Sequence, residues 1–420
     1  MINQKRTIII AGVVIAIIII LAGVWFFFLR APGTSTTATS NPVFSPLNTQ
    51  GSTRTNTTNT TTTNQTNSTT TISTIKTAVP TLRIISSTPI GGYSASTTGT
   101  TTVVRWVDRG RGNVYQTQMN GFDVQTVSNT LLPRVYNSIW NTKMTAFIAS
   151  ILADDSETPS TVYAELRSSA TTSSSLAPQE LRGRNLPTNT IAYAVSPKKD
   201  QVFILVKEGI GSTGYVSSFD GSKTVQIFTT PLTQLNVDWP TDTSIAITTK
   251  GISDQAGYLY LINSKTGVWS KVLGPLNGLS ARVSHDGKHV LYSTSDGNDG
   301  VTTKIYTVST NSSMEAMIHT LADKCVWGNF YKDMAYCAVP FQNVAGAYPD
   351  DWYKGVVSPV DKIWQINSAT NELHIVNPLI GQAKTVVDAF NLGLDNKDNY
   401  LFFMNKNDLS LWSVDLVKSI

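Results

Sequence analysis

Two cysteines, Cys325 and Cys337, are the residues whose type and spacing point most directly to chemistry. They flank a segment whose turn centres on Tyr331. If 329 pairs with 333, then 325 lies opposite 337. Opposed residues at a non-hydrogen-bonded position lie about 4.5 Å apart at Cα, within disulfide range. A disulfide is expected, with two packed thiols as the alternative. The closed loop is short, so the bond would stabilise the fold by at most about 3 kcal/mol. The second constellation is Tyr348, Asp350, Asp351, Trp352, Tyr353 and Lys354, carried by an insertion from Ala345 to Pro359. Aromatic rings beside carboxylates stack on sugars or anchor peptides. This segment is the candidate binding surface. The alternative is a loop folded over its own domain with Trp352 buried.

Other chemistry finds no such pattern. His285, His289, His319 and His374 are scattered, and a structural zinc site needs about four clustered Cys or His ligands. The acidic stretches Asp296–Gly300 and Asp395–Asp398 lack the spacing and closing Glu of a calcium loop, and read as turns. Gly92-Tyr93-Ser94-Ala95-Ser96 lacks the second glycine of a nucleophile elbow. There is no P-loop or dinucleotide glycine motif. The sequence therefore suggests no metal, no cofactor and no catalytic residue, and a chain that is not an enzyme. The formal net charge is +4, and no run of Lys or Arg exceeds two residues. Nucleic-acid binding needs concentrated positive charge to release counterions, so nucleic acid is excluded as a partner.

The elements that must position these residues recur from about residue 80 onward. Short apolar runs rich in Val, Ile, Tyr and Trp alternate with Gly, Asn, Asp and Ser, and no convincing amphipathic helix interrupts them. An aromatic near a strand start recurs at Tyr115, Tyr163, Tyr215, Tyr260, Tyr306, Trp364 and Trp412, at intervals of 48, 52, 45, 46, 58 and 48 residues. A second marker is an apolar strand end before a polar turn. It falls at Val195, Trp239, Val283 and Trp327, spaced 44 residues apart each time. A period of about 44 with four short strands per unit matches a propeller blade. The expectation is an all-β, seven-bladed β-propeller over 80–420. Its last copy is short of an outer strand, and Thr81–Ser86 is expected to supply it and remove an open edge.

Ser284-His285-Asp286-Gly287-Lys288, with apolar strands on both sides, resembles the Ser-Pro-Asp-Gly-Lys turn of TolB-like, WD-repeat-like propellers. Blade three keeps Ser196-Pro197 but loses the Asp-Gly. The resemblance implies protein–protein contacts, and in some relatives a regulatory domain beside a hydrolase.

Residues 7–29 read TIIIAGVVIAIIIILAGVWFFFL, without a charge. A helix of that length spans roughly 34 Å, enough for a hydrocarbon core of about 30 Å. The run is too long for a signal peptide and ends in bulky Phe-Phe-Phe-Leu-Arg. Lys5 and Arg6 precede it, so residues 1–6 are expected in the cytoplasm and the rest outside the cytoplasmic membrane. Residues 30–79 form a Thr/Ser/Asn-rich spacer: from 31 to 79, 31 of 49 positions are Thr, Ser or Asn. Such a stretch buries too little apolar surface to offset its ordering entropy, and disorder is expected. Together these features suggest a single-pass, membrane-anchored interaction module of the cell envelope that meets an envelope protein. Carbohydrate or cell-wall ligand binding through the insertion is the alternative.

Overall fold

The computed structural model describes residues 79–419, apart from 153–158, 169–177, 296, 298, 299 and 343–345. The apolar run 7–29, the spacer and most of the Asp296–Gly300 stretch lie outside the described residues. Among the described residues, no helix is long and apolar enough to cross a membrane.

The chain folds into seven four-stranded antiparallel sheets. Six blades use four consecutive strands each. The seventh takes Ala389–Leu394, Tyr400–Asn405 and Leu411–Asp415, and borrows Leu82–Ser86 as its outer strand. Leu82 lies opposite Val414 and Ile84 opposite Trp412, so the expected closure is present. First strands of neighbouring blades touch, as Ile90–Thr98 touches Val135–Trp140 and Thr190–Val195 touches Leu235–Thr241, and line the inside of the ring. All seven aromatics of the first sequence marker fall in third strands. The 44-residue marker falls in the inner strands of blades three to six.

The second strands show why the blades stack. Ala146–Leu152, Gln201–Glu208 and Tyr400–Asn405 read AFIASIL, QVFILVKE and YLFFMN, and their middles are buried. A strand covered on both faces has no use for a polar alternation. Its side chains still project alternately to the two faces. Phe147 and Ala149 therefore join the core between blades one and two, whereas Ala146 and Ile148 join the core between blades two and three. Each junction has such a core. Ile85, Trp106, Phe402 and Leu411 build the one that seals blade seven to blade one.

The turn that carried the family resemblance holds itself together. The Ser284 hydroxyl donates to Asp286 Oδ1 at 2.7 Å, and the backbone N–H groups of Lys288 and His289 donate to Asp286 Oδ1 and Ser284 Oγ, each at 3.0 Å. Gly287 takes a φ of 73° there, a conformation open to glycine at little cost. The Ser284 and Asp286 side chains make the turn.

The insertion joins the second and third strands of blade six. Strands alternate in direction, so it lies on the face where inner strands begin. Leu82–Ser86, as a fourth strand, starts on the other face.

Candidate binding site at the channel mouth

Inner strands expose one edge and alternate side chains to the axis of the ring. On the insertion face they deliver Tyr136 and Asn137 from blade two, Tyr193 from blade three, Asp238 from blade four and Arg282 from blade five. A single 3-10 turn, Ala322–Lys324, adds Asp323 just before the inner strand of blade six. The insertion adds Tyr353. These residues line a cavity of about 440 Å³. A second cavity of about 510 Å³ shares Tyr136, Asn137, Arg282 and Asp323 with the first, and adds Arg109, Trp352, Phe390 and Lys406.

Arg282 stands at the junction of the two cavities. Its Nη1 is 3.8 Å from Asp238 Oδ2 and its Nη2 is 3.5 Å from Asp323 Oδ1. Both contacts are too long to be good hydrogen bonds. Its Nε is buried and has no hydrogen-bond partner among the described residues. Desolvation works against the guanidinium charge, but Asp323, Asp238 and Tyr353 outweigh it and hold its pKa above the ordinary value. Asp323 is fixed from two sides: Tyr353 donates its hydroxyl to Oδ2 at 2.5 Å, and the Asp323 backbone N–H donates to Ser280 Oγ at 3.0 Å. Burial, and then the Asp323 charge, push the Tyr353 phenol well above the usual range. Arg109 donates to the Tyr136 carbonyl at 3.1 Å, and burial holds its pKa down.

The residues singled out from the sequence divide. Trp352 is only 5 % exposed, and Tyr348 is buried as well. The Trp352 indole N–H donates to both carboxylate oxygens of Asp388 at 3.1 Å. That carboxylate belongs to a buried ion cluster: Lys324 Nζ lies 2.6 Å from Asp388 Oδ1 and 2.8 Å from Asp361 Oδ2. Burial pushes the Asp361 carboxyl up to about 7, with Lys324 opposing the rise and Asp388 adding to it. The Trp352 ring therefore caps an ion cluster instead of standing free as a stacking platform, and its face is covered further by Lys406 Nζ, 4.5 Å from the ring centre. Asp350 accepts the Ser253 backbone N–H at 2.7 Å, and Asp351 accepts that of Ala347 at 2.9 Å, so both carboxylates pin the insertion. Of the six, Lys354 is exposed and Tyr353 reaches the channel. Cys325 and Cys337 are register partners and are bonded, with an S–S distance of 2.12 Å and a Cα–Cα distance of 4.1 Å. Of the four histidines, His319 and His374 are exposed, while His285 and His289 are half-buried.

The reading from sequence missed the channel residues. A signal was present. Asp238 and Arg282 each precede a strand-end marker, Trp239 and Val283, and are themselves 44 residues apart. The same blade position carries opposite charges in adjacent blades, and the ring brings them together.

No protein-family model matches the sequence, and no curated protein does. Many solved structures share the fold. An oligogalacturonate lyase from Vibrio parahaemolyticus is 10% identical, over 80% of this chain and 92% of that one, with a TM-score of 0.51. The β-propeller domain of the Trilobed protease from Pyrococcus furiosus is 11% identical, over 77% and 94%, with a TM-score of 0.47. TolB from Acinetobacter baumannii is 9% identical at a TM-score of 0.40, over 73% of this chain and 60% of that TolB. The lyase corrects one expectation. A fold with this outline carries an enzyme, so the inference from sequence motifs that the chain is not one is withdrawn. At such identities these likenesses show the fold and no activity: this chain is similar to TolB and to other propeller proteins, and it is a seven-bladed β-propeller.

Proposed function

We propose that this chain displays a rigid recognition propeller outside the cytoplasmic membrane, tethered by residues 7–29 through the Thr-rich spacer, and that an envelope protein docks on the face carrying the insertion. One observation carries this reading. That face holds a polar, charge-lined channel mouth whose central Arg282 is incompletely bonded, next to an insertion clamped rigidly to the ring. Incompletely bonded polar groups on a rigid scaffold can bind a partner with little ordering cost. The burial of Trp352 favours this over a sugar stacked on that ring.

The test is site-specific photo-crosslinking in cells of the source organism. Val356, at the end of the insertion, is 71% exposed, and Val417, on the opposite face, is 70% exposed. A benzoylphenylalanine at Val356 is expected to trap a discrete protein adduct, and one at Val417 is not. Equal trapping at both sites, or none at Val356, would overturn the proposal.

A further inference from the structure

The second cavity has the chemistry of an anion site with an apolar floor. Arg109, Arg282 and Lys406 line it, against a single carboxylate on the same wall, Asp323, which is already engaged by Tyr353 and Arg282. Among the described residues, Arg109 and Lys406 form no ion pair. Arg109 donates to the Tyr136 carbonyl and Lys406 to the Trp352 carbonyl, which leaves further N–H donors on each. Desolvation lowers the pKa of both, and for Lys406 it outweighs the opposing effect of the Asp388 charge. Trp352, Phe390 and Leu409 supply the apolar part of the lining. A volume of about 510 Å³ is the size of a small-molecule pocket.

We infer that this cavity binds a monocarboxylate with an apolar body, the carboxylate meeting Arg109, Arg282 and Lys406 and the body lying against Phe390 and Leu409, which are half-buried. The inference deepens the proposed role of this face and rests on it for biological meaning. A guanidinium matches a carboxylate with two parallel N–H donors, and such charge-assisted bonds are the stronger kind. The acid could be free, or it could be the C-terminal residue of a peptide, since both present the same group.

Calorimetry on the full-length protein in detergent tests this with four probes. They are 3-phenylpropanoate, its amide, and an acetylated tripeptide ending in Phe as either the free acid or the amide. At least one acid is expected to bind saturably, with its amide about tenfold weaker or worse. Arg109→Gln and Lys406→Gln are each expected to cost the acid a similar factor and leave amide binding unchanged. Binding of the tripeptide acid alone would assign the site to a chain terminus; binding of 3-phenylpropanoate would assign it to a free acid. Equal binding of acid and amide, no binding of either acid, or acid affinity unchanged in both variants overturns the inference. The Val356 adduct separates the two readings. If it persists while the acids fail, the anion site is refuted and the docking face is not.

Discussion

The molecule contains two clusters of the same composition, one cation between two aspartates, built to different tolerances. Lys324 sits between Asp361 and Asp388 at 2.8 and 2.6 Å, with all three side chains buried. Arg282 sits between Asp238 and Asp323 at 3.8 and 3.5 Å, with its side chain 35% exposed. The buried cluster is closed: Asp388 also accepts from Trp352, and Asp361 from the Ala389 backbone at 2.6 Å. The channel cluster keeps unused donors. Charges that must hold a fold are paired tightly and shielded from water. Charges that can meet a ligand are held near partners without being satisfied by them.

Three measurements would break or sharpen this contrast. The largest effect is expected for Lys324→Met. Removing the cation leaves two buried carboxylates uncompensated and should cost about 3–5 kcal/mol. Chemical denaturation of the propeller checks it, and a change below about 1 kcal/mol would mean that water reaches the cluster. Next comes pH. Asp361 is raised to about 7 in the folded protein, against about 4 when unfolded. Between those values the native state holds the extra proton, so stability falls as pH rises from about 4 to about 7 and levels above it. The drop should be on the order of 2 kcal/mol between pH 5 and pH 8. Asp361→Asn, which cannot titrate, should lack that slope; the same slope in both proteins would place the titration elsewhere. The smallest effect is expected for Arg282→Ala. Long ion pairs at a half-exposed site contribute little, so stability should change by less than about 1 kcal/mol. A thermal melt that moved as far as that of Lys324→Met would erase the distinction between the two clusters.

The ring was legible in the sequence because its rules are local and repeated. Each third strand announces itself by an aromatic, and the inner strands of blades three to six by an apolar end before a Ser- or Asp-bearing turn. The missing outer strand of blade seven could be matched to Leu82–Ser86 for the same reason. The fate of Trp352 was not legible. Its acceptor, Asp388, and the balancing Lys324 belong to blades seven and six, and nothing near Trp352 in the chain reveals that they converge beneath it. Arg109, Arg282 and Lys406 escaped notice for a related reason. They come from blades one, five and seven, and only closure of the ring places them on one cavity. Asp238 and Arg282 are the exception, since their shared position in the repeat was there to be read.

The closing strand also sets a clock for synthesis. Leu82 finds its partner in Val414, so the first edge to emerge has to wait for nearly the last. At about 5–20 residues per second that delay is roughly 20–70 s. Throughout it, Leu82–Ser86 presents unpaired backbone to any neighbouring nascent chain. A chain that seals its circle late leaves its earliest strand open for most of its own synthesis.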